Sequence, residues 1–144
     1  MRDIDEIVIH CSATPEGRDV RPETVRGWHL RRGWRDIGYH YVVTLDGRIH
    51  AGRPISAVGA HVKGRNMTTV GICYIGGTDA QGKPKNTLTD AQRQSIHRLC
   101  RALVCVLNTP LEITGHNEHS RKACPSFRVD EEFEETVKYC RRDF

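Results

Sequence analysis

The stretch IDEIVIHC, residues 4–11, is short, rich in β-branched residues and followed by the polar stretch SATPEG. Such a run is typical of a buried β-strand that ends in a loop. We therefore predict a core strand here, with His10 at its C-terminal end.

Further strands are predicted on either side of a tight turn and beyond it. Asp46-Gly47 lies between YHYVVTL and RIHAG, and this dipeptide is the strongest short-range signal for a β-hairpin. A glycine pair ends the apolar stretch TVGICYIGG, and LEITGH ends at His116. The four predicted strands cover about 39–45, 48–52, 69–77 and 111–116.

Three stretches have helical periodicity. RPETVRGWHLRRG (21–33) carries Pro22 at a favourable first helical position. In TLTDAQRQSIHRLCRALVCVLN (87–108), Thr89 and Gln92 form a capping-box pattern ahead of an apolar stripe. The stripe of a final helix consists of Phe133, Val137, Cys140 and Phe144.

Strands mixed with helices, one hairpin among them, predict an α/β fold. We expect one domain over residues 1–144, with a central mixed sheet of about five strands and helices packed on its faces. Side chains at strand ends tend to line the ligand crevice of such a sheet. His10 and His116 are both predicted to lie at strand ends.

Composition and charge narrow the functional classes. The net charge of +4 favours binding to anionic polymers such as nucleic acid or bacterial cell wall. The charge alone does not distinguish between these two classes of partner. The start, MRDIDEIVIHCS, has acids where a signal peptide is basic and then apolar, and no apolar run is long enough to span a membrane. We expect a protein that is made in the cytoplasm without a signal peptide.

Six cysteines without an export signal favour free thiols or metal ligands over disulfides. Cys100 and Cys140 lie on predicted apolar helix stripes and are interpreted as small buried side chains. Cys124 differs, because polar residues and a proline surround it in GHNEHSRKACPSF, residues 115–127.

His10, His116 and Cys124 offer the ligand types of a catalytic zinc site, which uses three protein ligands and one water. Their spacing matches no zinc-finger rule, so a charged surface loop stays open as an interpretation on spacing alone. The side chains of His29, His50 and His97 are expected to be structural or solvated, with His97 exposed on its helix.

Five ordered motifs supply a more specific indication: VIHCSAT, WHLRRGWRDIGYHYVVTLDGRIHAGRP, GAHVKGRNMTTVGICYIGG, LTDAQ and GHNEHSRKACPSF. Over about residues 5–128 the chain resembles the zinc-dependent N-acetylmuramoyl-L-alanine amidases of type 2. That family includes phage lysozyme-like amidases and the peptidoglycan recognition proteins. The resemblance implies hydrolysis of the amide bond between the lactyl group of N-acetylmuramic acid and L-alanine in peptidoglycan, by metal-activated water.

The resemblance also implies roles for individual residues. His10, His116 and Cys124 match the ligands of one Zn²⁺ ion, and Tyr39 and Lys122 match the family's catalytic tyrosine and lysine.

Other residues near these motifs receive weaker expectations. His61 matches a segment beside the substrate groove and is predicted to bind substrate, whereas His119 matches no ligand. No family role transfers to Glu118, which we interpret as a surface acid. His40 follows Tyr39 and should point to the opposite face of its strand, as a structural residue.

Elementary chemistry is consistent with these roles. Zinc with two neutral imidazoles and one thiolate keeps a formal charge of +1, enough to lower the pKa of a water molecule and polarise an amide carbonyl. The Lys122 ammonium could stabilise the developing oxyanion, and the Tyr39 phenol could orient water or donate to the intermediate.

Two alternatives remain open at this point. A peptidoglycan-binding module without activity is one, although the presence of Tyr39 and Lys122 argues against it. An amidase with an added RNA polymerase-regulating role is the other, since some phage relatives of the family have one and RRGWR, residues 31–35, is basic.

The remaining expectations concern setting and partners. We expect an endolysin of phage or prophage type that acts on the bacterial cell wall after release, with peptidoglycan as its partner. No membrane contact, no DNA binding and no separate wall-binding domain are expected, and the protein is predicted to be a monomer.

Overall fold

The computed structural model describes residues 1–142, and a five-stranded mixed sheet is its central feature. The strands of the described residues are β1 (Glu6–Cys11), β2 (Thr14–Pro15), β3 (Tyr41–Val43), β4 (Ile49–Ala51), β5 (Thr69–Tyr74), β6 (Gly77–Thr78) and β7 (Glu112–Gly115). The main sheet has the order β4-β3-β5-β1-β7. Only β3 and β4 pair antiparallel, and the other neighbours are parallel. The predicted α/β class and mixed sheet of about five strands are confirmed.

The helices of the described residues are α1 (Pro22–Arg31), α2 (Asp90–Leu107), α3 (Val129–Glu132) and α4 (Glu134–Cys140). Helices α2 and α4 cover one face of the sheet, where Val43 and Ile9 are buried. Helix α1 covers the other face, where Val25 packs with Val42. Helices therefore lie on both faces, as predicted. None of the helices within residues 1–142 is long and apolar enough to cross a membrane.

Strand β1 lies at the centre, between β5 and β7, and all six of its residues are buried. His10 is level with Cys73 of β5. Because β1, β5 and β7 run parallel, their carboxyl ends meet at one edge of the sheet, which is where ligand crevices form. His10 and the residues that follow β7 therefore lie at the same edge.

The hairpin and the long helix form as their sequence signals predict. Gly47 has a φ of +83°, which glycine adopts without strain, and its amide donates to the Thr44 carbonyl at 2.8 Å. At the start of α2, the Gln92 amide donates to Thr89 Oγ1 and the Thr89 amide donates to Gln92 Oε1, each at 3.0 Å. Both bonds of the predicted capping box are present.

Two features of the fold differ from the prediction. The final helix is divided in two, because Phe133 has a φ of −121° and a ψ of 37°, outside the helical region. Phe133 is buried at this break, and Val129 and Val137 are buried before and after it, so the apolar pattern of the sequence resembles that of one continuous helix. Phe144 lies outside the described residues. Strands β2 and β6 form a second, two-stranded sheet, and strands of two residues are too short to show periodicity.

Candidate metal centre

The side chains of His10, His116 and Cys124 converge at the carboxyl edge of the sheet. One donor atom from each residue lies within 4.8 Å of the others. His10 Nδ1 is 3.8 Å from Cys124 Sγ, and the ring centroids of His10 and His116 are 4.7 Å apart. The structure thus brings together all three residues that the sequence suggested as ligands.

His10 is the buried member of this group, with 1% of its surface exposed. Its Nδ1 faces Cys124, and its Nε2 lies 2.8 Å from His61 Nδ1. Burial, followed by the nearby imidazoles of His61 and His116, holds the pKa of His10 well below its usual range. The ring is therefore neutral and carries one nitrogen lone pair for a metal or a hydrogen-bond donor.

His116 opens a short 3-10 turn, His116–Glu118, directly after β7. The Gly115 amide donates to the Glu118 carboxylate at 2.6 Å, which fixes the start of the turn. Glu118 is exposed, as predicted, and its contact with the Gly115 amide is one that the sequence did not suggest.

Contacts with neighbouring segments hold Cys124 in place. The Cys11 amide donates to Cys124 Sγ at 3.2 Å, an interaction that stabilises negative charge on the sulfur. Beyond Cys124, the Tyr74 hydroxyl donates to the Pro125 carbonyl at 2.6 Å, and the Ser126 hydroxyl donates to the Gly77 carbonyl at 2.7 Å. The loop is thereby tied to both β5 and β6.

The donor set fits a zinc ion. Ligand atoms that bind one tetrahedral zinc at about 2.0–2.3 Å lie about 3.3–3.8 Å apart. The separation of 3.8 Å between His10 Nδ1 and Cys124 Sγ is close to that range, and the limit of 4.8 Å for the whole group requires only a small inward movement. Two imidazoles and one sulfur are also a ligand combination found in catalytic zinc sites.

Tyr39 and Lys122 both lie beside the three donors. The Tyr39 ring centroid is 5.1 Å from that of His10. Burial, followed by the nearby Cys73 and Cys124 thiols, raises the pKa of Tyr39 well above its usual value, so its hydroxyl keeps its proton and can donate. Burial and then the Lys122 ammonium lower the pKa of His116. Within residues 1–142, the Lys122 ammonium has no carboxylate partner.

A groove of about 530 Å³ opens over the site. His116, Tyr39 and Lys122 line this groove, and so do Trp34 and Lys63. No carboxylate of residues 1–142 lines this groove. Its surface combines aromatic rings with positive charge, which suits a substrate that carries carboxylates and apolar ring faces.

Comparison with known proteins agrees with this geometry. The family described as N-acetylmuramoyl-L-alanine amidase matches residues 1–127. The chain belongs to this amidase family. Among its relatives, an endolysin of Klebsiella phage KP32 is 44% identical over 126 residues, 88% of this chain and 83% of that protein. An endolysin of Escherichia phage T7 is 42% identical over 123 residues, 85% and 81% respectively.

Solved structures support the same assignment. The N-acetylmuramoyl-L-alanine amidase LysC from Clostridium intestinale superposes with a TM-score of 0.77 at 29% identity, over 94% of this chain and 83% of that one. Drosophila PGRP-LB superposes with a TM-score of 0.77 at 25% identity, over 93% and 81%. The resemblance seen in the sequence motifs is confirmed, and the protein is an amidase.

His61, predicted to bind substrate, lines the groove of the amidase, but both nitrogens of its ring already have hydrogen-bond partners within the protein. Its Nδ1 faces His10 and its Nε2 lies 3.1 Å from Thr69 Oγ1. Burial, followed by the nearby His40, lowers the pKa of His61 to about 3, so its ring is neutral at physiological pH. A substrate contact stays a prediction, whereas the bond to His10 is a feature that the sequence did not indicate.

His119 lies outside the group of three donors. Its Nε2 is 2.8 Å from Glu6 Oε2, and the same carboxylate also accepts bonds from Arg65 and Thr114. Only 3% of Glu6 is exposed. Sequence reasoning missed this buried acid, although a glutamate inside the apolar run that starts the chain was a visible signal.

Three of the remaining histidines have structural roles in the amidase. His29 Nδ1 accepts a bond from the Gly38 amide at 2.8 Å. His40 Nδ1 accepts from the Gly71 amide at 3.0 Å, as expected for a structural residue. The predicted exposure of His97 is wrong: this ring is half-buried, because α4 packs beside it and places Thr136 Oγ1 at 2.5 Å from its Nδ1.

Proposed function

We propose that this amidase cleaves the bond between the lactyl group of N-acetylmuramic acid and L-alanine, using one zinc ion bound by His10, His116 and Cys124. The convergence of these three donors beside a basic groove, which His116 lines, is the observation that supports the proposal most directly. When bound, the zinc ion supplies Lewis acidity, which lowers the pKa of a water molecule and polarises the scissile carbonyl.

Lys122 and Tyr39 act on the charge that develops during the reaction. Negative charge accumulates on the carbonyl oxygen as the amide carbon becomes tetrahedral, and an ammonium group already in place stabilises it without reorganisation. Lys122 lines the same groove as His116 and has no carboxylate partner within the described chain. Tyr39 is protonated and lies beside His10, and its hydroxyl, which is hydrogen-bonded to the Cys73 thiol in the metal-free protein, is the donor that we propose for the same oxygen or for the attacking water.

The groove supplies the binding energy. Trp34 offers a flat ring for a sugar face, and the guanidinium of Arg32 lies 5.4 Å from its centroid. Lys63 adds a second positive charge along the groove. Stem peptides of peptidoglycan carry carboxylates, and we propose that the side chains of Arg32 and Lys63 attract these carboxylates.

The relatives of the enzyme support a proposal about where it acts. Its phage relatives are endolysins, and we propose that this amidase likewise acts on the cell wall after release from the cell that makes it, as a monomer. Contact with RNA polymerase stays a prediction, and the side chains of Arg31 and Arg35 are exposed as it requires.

Digestion of purified muropeptides tests this function. Zinc-loaded wild type should release stem peptides with a new free L-alanine amine, detected by mass spectrometry, and chelation should abolish the release until zinc is restored. Lys122→Met should lower the rate about 10²- to 10³-fold, and Tyr39→Phe should lower it as well.

A matched cysteine pair provides the control. Cys124→Ala should lose both zinc and activity, whereas Cys105→Ala, at an exposed position of α2, should keep both. Intact muropeptides after incubation with zinc-loaded wild type would reject the proposed reaction. Full activity of the chelated protein would reject the role of zinc, and intact substrate with tight retention would support a binding module instead.

A further inference from the structure

A line of buried hydrogen bonds runs from His10 away from the three donors. His10 Nε2 is 2.8 Å from His61 Nδ1, and His61 Nε2 is 3.1 Å from Thr69 Oγ1. The Thr69 hydroxyl in turn lies 2.9 Å from the Arg65 carbonyl. In the two contacts of the His61 ring, which group donates and which accepts depends on the tautomer, whereas the Arg65 carbonyl can only accept.

The carbonyl at the end of the line fixes all of these protons. A carbonyl only accepts, so Thr69 donates its single hydroxyl hydrogen to Arg65. Thr69 must then accept from His61, which places the hydrogen of a neutral His61 ring on Nε2 and leaves Nδ1 as an acceptor. Burial of His61 favours the neutral ring.

His10 is the next group along the line. Because His61 Nδ1 accepts, His10 Nε2 must donate, and the lone pair of His10 is left on Nδ1. Nδ1 is also the nitrogen that lies 3.8 Å from Cys124 Sγ. The proton order that starts at a backbone carbonyl therefore ends with a lone pair directed at the other two donors.

We propose that His61 and Thr69 are positioning residues that hold His10 in its Nε2–H tautomer and so present Nδ1 to the metal. The proposal rests on the zinc site proposed above. Metal-binding histidines commonly donate their second N–H to a carboxylate or a carbonyl. In this amidase the acceptor is a neutral imidazole, whose own tautomer is set by a threonine hydroxyl.

The fold holds the His61 ring in one place. The amides of His61 and Val62 both donate to Asn66 Oδ1 at 2.9 Å. A Cβ added at Gly71 would lie 2.7 Å from the His61 ring, and one added at Gly59 would lie 2.8 Å from it. The two glycines thus leave space for the ring and for little else, and Thr69 is fully buried.

The tautomer can be read directly in the metal-free protein. Long-range ¹H–¹⁵N correlation spectra of ¹⁵N-histidine-labelled wild type should show His10 protonated at Nε2. Thr69→Val removes the hydroxyl at nearly constant volume and should give a mixture of His10 tautomers. Thr69→Ser restores the hydroxyl and should restore the wild-type spectrum, which a purely structural role of Thr69 does not predict.

Zinc affinity, measured by competition with a chelator, is the second readout. His61→Leu should weaken zinc binding about 10- to 100-fold, the usual effect of losing such a partner. His61→Asn places an amide oxygen where Nδ1 was and should recover most of that loss. Thr69→Val should bind zinc more weakly than Thr69→Ser.

The possible failures are distinguishable. Wild type that binds no zinc would overturn the proposed metal site and this inference with it. Wild type that binds zinc but carries the His10 proton on Nδ1 when metal-free would overturn the positioning role alone. Equal zinc affinity in wild type, Thr69→Val and His61→Leu would overturn it too.

Discussion

The two sides of the metal centre are built in different ways. On the strand side, His10 is part of the central strand, 1% exposed, with β5 and β7 paired to its flanks. On the loop side, residues 116–126 carry two half-exposed donors on chain with little regular structure. That loop is held by individual bonds such as the one from Tyr74 to the Pro125 carbonyl.

Because of this difference, changes on the two sides should differ in how much they affect the stability of the fold as well as metal binding. The strand side cannot move without breaking the sheet, so a change there should affect the whole fold as well as the site. The loop side depends on a few side-chain contacts, so a change there should affect the site and leave the sheet intact. Two pairs of variants test this division, and a single variant then tests the α1 side of the sheet, away from the metal centre.

The largest contrast is expected between the two histidine ligands. His10→Ala should abolish activity and also lower the free energy of unfolding of the metal-free protein by about 2–4 kcal/mol, because it leaves a cavity beside β1. His116→Ala should abolish activity but change that free energy by less than about 1 kcal/mol. Urea denaturation and muropeptide digestion measure the two effects, and equal destabilisation by both variants would contradict the division.

An intermediate effect is expected at the anchor of the loop. Tyr74→Phe leaves the buried Pro125 carbonyl without its 2.6 Å donor, which should cost about 1–3 kcal/mol and weaken zinc binding. Tyr41→Phe, on the adjacent strand β3, is the control and should leave zinc affinity unchanged. If the two variants have the same zinc affinity, the Tyr74 bond does not hold the loop.

The smallest effect concerns the pH dependence of stability on the α1 side of the sheet. Burial, followed by Arg32 and Arg53, lowers the pKa of His29 to about 4. Since its folded pKa is below its unfolded pKa of about 6.5, the unfolded state binds the proton first, and stability falls as the pH drops from 6.5 towards 4. Lowering the pH from 7 to 5 should cost about 1–2 kcal/mol from this residue.

His29→Asn keeps an acceptor for the Gly38 amide without a titrating ring. In urea denaturation at pH 7 and pH 5, this variant should lose less stability than wild type. An identical loss in both proteins would show that His29 is not responsible for it.

Much of the strand side could be predicted from sequence. The β-branched run at 4–11, the Asp46-Gly47 turn and the Thr89–Gln92 capping box are local signals, and each produced the predicted element. The placement of His10 and His116 near one crevice followed from the rule that side chains at strand ends tend to line the ligand crevice of such a sheet.

The loop side and the bonds behind His10 could not be predicted in this way. Cys124 meets Cys11 across 113 residues of chain, and His61 meets His10 across 51. No local periodicity carries such contacts, so the ligand set depended on the family resemblance and the role of His61 on the structure. The break at Phe133 was missed because burial continues through it.

X-ray absorption at the zinc edge of the purified, zinc-loaded wild type tests the central claim most directly. The metal centre proposed here predicts one sulfur at about 2.3 Å and nitrogen or oxygen ligands at about 2.0–2.1 Å, with the sulfur signal lost in Cys124→Ala and kept in Cys105→Ala. A first shell without sulfur in wild type, or a sulfur signal that survives in Cys124→Ala, would contradict it.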